Sequence, residues 1–349
     1  MIKVGIIGAS GYIGRELVRL LSKHPEVEDI EVTSRQFAGK KFSSIFKNFS
    51  KVFEKRFLKE FSGNEDLDAV FVSAPLEECL DLISSFIERD IRVISLGGKF
   101  RIKDKALDEK LYKSKSELSE ERIDQLRGIA TYGLSEFYRE KIKKAKLVAN
   151  PGCYPTSILL GILPLSKLFE VKKITINVVS ISGTSGAGAK PSQHLHHPEM
   201  SGNLKPYNIV FHRHIPEMES ISREFGLELD ISFTPAVGDF ARGIYSFIRV
   251  NSSDVPENLA ESYEKFYSAE KFVRVVEKNE KNERIPNLKD VIFTNYCDLG
   301  LNVVQEGKIL ILSVLDNLGK GGASQAVQNM NIMFNFKEEC GIDSIAGNP

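Results

Sequence analysis

Apolar residues along this chain follow two spacings, and the changes from one to the other mark its elements. Residues 2–7 form a β-rich run that breaks at Gly8, Gly11 and Gly14, after which Leu17, Val18, Leu20 and Leu21 share one helical face. Further apolar runs follow at 29–34 (DIEVTS), 68–75 (DAVFVSAP) and 91–98 (IRVISLGG), with a helical segment between the last two. Strands alternating with helices predict parallel pairing through crossover helices, a doubly wound α/β sheet. The mixed-sign stretch 103–128 predicts a solvated helical excursion. A short strand then ends at Ala149, Asn-Pro-Gly turns the chain, and Pro155 suits a first helical position, with Cys153 just outside the helix N-terminus. Runs at 172–183, 230–237 and 243–251 read as strands of a second, α+β unit. Ala323, Ala326, Val327 and Met330 recur at helical spacing and predict a last helix that packs back on the first unit.

Length and charge narrow the class of partner. With 349 residues and 42% hydrophobic content the chain can bury a large core, and its length predicts roughly two domains. Lysine plus arginine equals aspartate plus glutamate, 47 against 47. That balance removes the long-range positive field of nucleic-acid and anionic-membrane binders, so a small molecule is the expected partner. The first strand reaches glycine too early for a signal peptide, and the apolar stretch 157–169 is too short to span a bilayer, which predicts a cytoplasmic protein. Cys79, Cys153, Cys297 and Cys340 lack the paired spacing of a disulfide framework or a zinc ribbon.

Candidate chemistry falls in three places. The strand, glycine turn and helix at residues 2–21 suit a dinucleotide, because the glycines let backbone approach a pyrophosphate at a helix N-terminus. The spacing is G-x-x-G-x-x-G, and a purely structural turn is the competing reading. Ser34 and Arg35 stand where an NAD-selective enzyme carries a carboxylate, which favours the 2′-phosphate of NADP. The cofactor set is therefore Gly8, Ser10, Gly11, Tyr12, Ile13 and Gly14, with Ser34, Arg35 and Gln36. Second, the helix N-terminus beside Cys153 favours a thiolate nucleophile over a buried, inert thiol. Third, five of the six histidines lie between His194 and His214. His194, His196 and His197 have no spacing that completes a tetrahedral metal set, so no metal is expected there and a pocket loop competes with plain surface.

Six segments together resemble the N-acetyl-gamma-glutamyl-phosphate reductases of the aspartate-semialdehyde dehydrogenase group: GASGYIGRELVRLL, TSRQFAGKK, NPGCYPT, SGTSGAGAK, PYNIVFHRHIPEME and DNLGKGGASQAVQNMN. The resemblance implies an NADPH-dependent acyl-phosphate reductase of arginine biosynthesis that works through a thioester on Cys153. It implies acid-base work at His214 or His212, with His214 preferred and Glu217 orienting an imidazole. It further implies Arg101 at the substrate phosphate, Ser182 and Gly183 near substrate, and Asn317 at the cofactor. Lys99 departs from the family pattern, which has Asp there, as does Ser135, where Pro is usual. The expected architecture is a Rossmann-type doubly wound NADP domain at 1–151 and 318–349, with its C-terminal helix returning to it, and an α+β catalytic and oligomerisation domain at 152–317. A homodimer or homotetramer is expected. Two alternatives stand: a reductase of aminoadipyl or glutamyl phosphate bound to an amino-group carrier protein, in lysine or arginine biosynthesis, and a non-catalytic NADP-binding sensor.

Overall fold

The computed structural model describes residues 1–170, 173–252, 255–256, 258–305 and 307–347. The chain forms two units, Met1–Pro151 with Gly322–Asp343, and Gly152–Gly321 with Ser344–Pro349. The expected strand start at 172 and the end of the expected first domain, 348–349, lie outside the described residues.

In the first unit, apolar runs pair as a six-stranded parallel sheet. Its strands are β1 (Ile2–Ile7), β2 (Val27–Val32), β3 (Ala69–Val72), β4 (Arg92–Ser95), β5 (Ala130–Tyr132) and β6 (Leu147–Ala149), in spatial order β2-β1-β3-β4-β6-β5. β3 and β6 are buried at every position, as strands covered on both faces must be. The chain leaves β1 for β2 on one side and then crosses to β3 on the other. Such a reversal opens a crevice beyond the strands' carboxyl ends, where doubly wound sheets take their ligands. α1 (Tyr12–Leu21) turns Leu17, Val18, Leu20 and Leu21 inward, and α2 (Leu80–Glu88) buries Leu80, Ile83, Phe86 and Ile87 between β3 and β4.

The charged stretch differs from its expectation. It forms α3 (Lys105–Leu111) and α4 (Glu120–Ile129), yet Asp108 is fully buried and Arg127 nearly so. The cause is Lys99, itself fully buried, whose ammonium can leave water only where carboxylates meet it. α5 (Ser135–Ile142) begins at the other departure from the family pattern. The Ser135 hydroxyl donates to Asn329 Oδ1 at 2.8 Å and accepts from Gln325 at 2.7 Å, both on the terminal helix Ser324–Met333. That helix belongs to the first unit, and it is buried on all sides, beyond the one face that the spacing of Ala326, Val327 and Met330 predicts.

The second unit holds a mixed seven-stranded sheet. Its strands are β7 (Lys173–Ser182), β8 (Leu204–Pro206), β9 (Glu228–Gly238), β10 (Ile244–Asn251), β11 (Val273–Val275), β12 (Cys297–Gln305) and β13 (Lys308–Leu315), ordered β11-β12-β13-β10-β7-β9-β8. Its helices include α6 (Cys153–Ile162) and α7 (Ile215–Glu224). Ser180, Ser246 and Ser313 lie side by side on three paired strands. Ser157 of α6 bonds Ser246 at 2.9 Å and Ser313 at 3.0 Å. These small hydroxyls satisfy one another in the core, so the helix that begins at Cys153 sits close to the sheet without an unpaired polar group.

The chain changes unit at Gly322. Asp316 accepts from the Leu318 and Gly319 N–H groups, which holds that turn in the second unit. Ser344 then donates to the Phe293 carbonyl and brings the tail back to the same unit.

Candidate active site

The glycine turn follows β1 at the sheet's crevice. Gly8 has φ +79°, a conformation that a side chain resists, and a Cβ there would lie 3.1 Å from Ser73 Oγ. At Gly14 a Cβ would fall 2.5 Å from the Ala9 Cα, so only glycine lets α1 lie this close to the turn. Gly11 caps α1 without any side-chain bond, which leaves the N–H groups of Tyr12 and Ile13 in the helix's unsatisfied first turn. Ser34 is buried and its hydroxyl donates to Ser10 Oγ at 3.0 Å. Arg35 and Gln36 beyond it are exposed, with Arg35 Nη1 only 3.9 Å from Glu78 Oε2. Arg15 was not singled out by sequence reasoning. Its guanidinium lies over the rings of Tyr12 at 4.5 Å and Phe46 at 4.7 Å, a second cation beside the turn. A cradle that a Cβ would fill, with Arg15 beside the turn and Ser34 and Arg35 in place of an acidic residue just after β2, fits a dinucleotide with a phosphorylated ribose.

In the same unit, Arg101 follows β4. Its guanidinium donates to the Leu96 carbonyl at 2.9 Å, and the preceding Phe100 takes φ +69°.

The second unit gathers Cys153, His212, His214 and Glu217. α6 starts at Cys153 itself, capped by extended Gly152, and not at Pro155. Both the N–H and the hydroxyl of Thr156 bond the Gly152 carbonyl at 2.9 Å, closing the first turn around the cysteine. Gly321 presses against it, since a Cβ there would lie 2.9 Å from the Cys153 Cβ. Cys153 itself is half-buried and in no disulfide.

His214 caps α7, and fully buried Glu217 is the third residue of that helix. The Glu217 carboxylate reaches across to accept the Gly152 N–H at 2.9 Å, a contact the sequence reading did not anticipate. The His214 backbone N–H donates to His212 Nδ1 at 3.2 Å, which leaves the neutral ring's proton on Nε2. The two imidazoles meet edge to face with centroids 4.7 Å apart. His212 is enclosed by Tyr154, Tyr207 and Phe233. Burial, and secondarily the Arg213 charge, pushes its imidazole down to about 4. Tyr207 is a further residue that sequence reasoning missed, although it stands in the same quoted segment. Its hydroxyl donates to Tyr154 Oη at 3.1 Å, and Tyr154 donates to the Ala236 carbonyl at 3.2 Å. Burial pushes the Tyr207 phenol up to about 12, so it remains a proton donor at neutral pH. A cysteine at a helix start and a neutral imidazole can together serve a nucleophilic addition to a carbonyl.

The glycine-rich loop after β7 is held by backbone bonds to residues 240–243. The N–H groups of Gly183, Thr184 and Ser185 donate to the carbonyls of Gly243, Phe240 and Ala241, so this part of the loop offers them to no ligand. A Cβ on Gly183 would lie 2.5 Å from the Arg242 nitrogen, and buried Ser182 donates to the Gly183 carbonyl. Asn317 braces the same loop, donating to Ser185 Oγ at 3.0 Å and accepting the Gly243 N–H at 2.7 Å. His194, His196 and His197 are exposed, and among the described residues no group of three potential ligands could hold a metal ion. Among the same residues no helix is long and apolar enough to cross a membrane.

Known proteins resemble both units. Residues 3–145 match the semialdehyde dehydrogenase NAD binding domain, and residues 153–317 match the semialdehyde dehydrogenase dimerisation domain. The chain is 41% identical to the N-acetyl-gamma-glutamyl-phosphate reductase of Methanocaldococcus jannaschii, over 100% of both chains. It is 38% identical to the Archaeoglobus fulgidus enzyme of the same name, over 97% of this chain and 98% of that one. Among solved structures, aspartate semialdehyde dehydrogenase II of Vibrio cholerae, complexed with ASA, superposes with a TM-score of 0.71 at 16% identity, covering 96% of this chain and 98% of that one. The Candida albicans aspartate semialdehyde dehydrogenase with NADP gives 0.66 at 16% identity, covering 96% and 99%. At such identities the structures speak for the fold.

Proposed function

We propose, because this chain belongs to the N-acetyl-gamma-glutamyl-phosphate reductases of the semialdehyde dehydrogenase family, that it reduces N-acetyl-gamma-glutamyl phosphate to N-acetylglutamate semialdehyde and releases phosphate. The reading rests above all on Cys153 as the first residue of α6, in the unit that also holds His212, His214 and Glu217. The reductant is NADPH, held at the turn of Gly8, Ser10, Gly11, Tyr12, Ile13 and Gly14, with Ser34, Arg35 and Gln36 at the ribose. Bound there, it supplies the hydride.

The chain's own residues do the rest. The helix start favours negative charge on the Cys153 sulfur, which attacks the acyl carbon. A carbon–sulfur bond forms, the bond to the phosphate oxygen breaks, and phosphate leaves with the electron pair. Arg101 is the residue that the family resemblance assigns to the substrate phosphate, a group its planar pair of donors suits. Once the acyl group is reduced, the oxygen's electrons reform the carbonyl and expel the thiolate, giving the aldehyde. Neutral His212 donates from Nε2 to the carbonyl oxygen, and His214 carries the proton between that oxygen and the sulfur. Glu217 holds the start of α6 through Gly152, beside the imidazole-orienting role that the family resemblance suggests. The enzyme works in the cytoplasm as a homo-oligomer joined through its second unit.

A steady-state assay with free N-acetyl-gamma-glutamyl phosphate, run beside its carrier-protein-bound counterpart, tests the substrate. Turnover of the free compound is expected, and turnover of the carrier-bound form alone would overturn the reading. Cys153→Ser should abolish turnover and keep NADPH affinity within about threefold, since the sulfur forms the covalent bond and the cofactor turn is untouched.

A further inference from the structure

Lys99 occupies a position where a lysine is costly. It is fully buried, and its ammonium contacts Asp108 Oδ2 at 3.1 Å, Glu109 Oε1 at 2.6 Å and the Tyr112 carbonyl at 2.9 Å. All three hydrogens of the ammonium are thereby engaged. Asp108 turns its other oxygen to the Phe100 N–H at 2.9 Å, and Arg127 approaches both Asp108 and Glu109. The contacts of Lys99 and Phe100 tie the short turn between β4 and Arg101 to α3 and the residue that follows it. Phe100 there takes φ +69°, a strained value for a non-glycine residue, and strain of this kind persists only where the surroundings over-determine it. Gly98 adds a second constraint, because a Cβ on it would fall 2.2 Å from the Tyr112 ring.

We propose that Lys99 is a positioning residue, which with Asp108 fixes the 98–101 turn so that Arg101 is held, already ordered, for an anionic group of the substrate. The inference rests on the reading of Arg101 as the phosphate-binding arginine. Buried ion pairs seldom add net stability over apolar packing, which leaves geometric definition as what this cluster contributes. Asp108 is the joint, bonding the lysine through one oxygen and the strained backbone through the other. Without Lys99, Phe100 relaxes and Arg101 samples several orientations before it meets an anion.

The test runs the holoenzyme in reverse, from semialdehyde, NADP and inorganic phosphate, with phosphate as the varied probe. Lys99→Met should raise the phosphate KM about tenfold while kcat stays within about twofold, the pattern of lost ground-state ordering. Combined with Arg101→Ala, Lys99→Met should raise the phosphate KM no further, because it acts through that arginine. A Lys99→Met protein whose melting temperature falls and whose phosphate KM does not move would overturn the proposal, as would additive effects in the double variant. If Arg101→Ala alone leaves the phosphate KM unchanged, the Arg101 reading fails and this inference fails with it. Should Lys99→Met not fold, Lys99→Met with Asp108→Asn removes both charges and is judged by the same phosphate KM.

Discussion

At the scale of single residues, the two histidines of the HRH segment are chemically distinct although they share a sequence motif. His212 is enclosed by aromatic rings, and its Nδ1 accepts the His214 N–H, so it stays neutral and keeps one donor to offer. A group held neutral positions a carbonyl oxygen well and shuttles protons poorly at neutral pH. His214→Asn should therefore lower kcat by about a hundredfold to ten-thousandfold, the range for a lost general acid or base. His212→Asn should act chiefly on KM, and the reverse pattern in initial-rate kinetics would exchange the two roles. The same burial predicts a stability signature. The His212 imidazole sits at about 4 in the fold, and an exposed histidine titrates at about 6.5. Between those values the unfolded chain binds more protons, so stability rises with pH across the window and is lost as pH falls towards 4. Urea midpoints at pH 4.5 and 7.5 should fall further in the wild type than in His212→Asn. Equal falls would mean that His212 titrates in the fold as it does outside it.

Elements set these residues in place, and here local and long-range information separate. The glycine turn, the helix at Cys153 and strands β7, β9 and β10 were legible because spacing and turn residues act over a few positions. Even so, the start of α6 fell two residues earlier than Pro155 suggests, because Gly152 takes the cap and Thr156 closes on its carbonyl. The burial of Asp108 beneath Lys99 was illegible, since a mixed-sign run reads as solvated until its partner is brought to it by the fold. The strands β12 and β13 went unnamed for a similar reason: their apolar content resolves into a hairpin only once they pair. The link from Glu217 to Gly152 joins residues 65 apart and has no sequence signal. Glu217→Ala would leave a buried N–H without its acceptor, a loss of about 1 to 3 kcal/mol. Glu217→Gln keeps a carbonyl for that N–H and should retain most of the stability. Denaturation of both variants checks this, and equal losses would show that the carboxylate's charge matters more than the bond to Gly152.

At the scale of the whole molecule, the sheet of the second unit has one face covered and one face open. β7 alternates strictly, burying Ile174, Ile176 and Val178 and turning Thr175, Asn177 and Val179 outward. On the outward face, Val179 and Phe247 are directly paired across β7 and β10, and both are exposed. Tyr245 stacks on Phe247 with centroids 4.7 Å apart, which extends the apolar patch along β10. An antiparallel pair with one solvated face normally carries polar residues there, so we propose that these paired apolar side chains belong to a surface that a partner covers. The residues concerned lie in the stretch that matches the dimerisation domain of the family, and a second copy is the partner proposed. Phe247→Glu places a charge at the centre of that patch, opposite its own copy if two chains meet there about a twofold axis. Because Phe247 points away from α6, the fold should survive and circular dichroism should not change. Sedimentation analysis should then show a smaller species than the wild type at the same concentration. An unchanged mass would mean that this face stays open in solution and that association, if any, uses another surface.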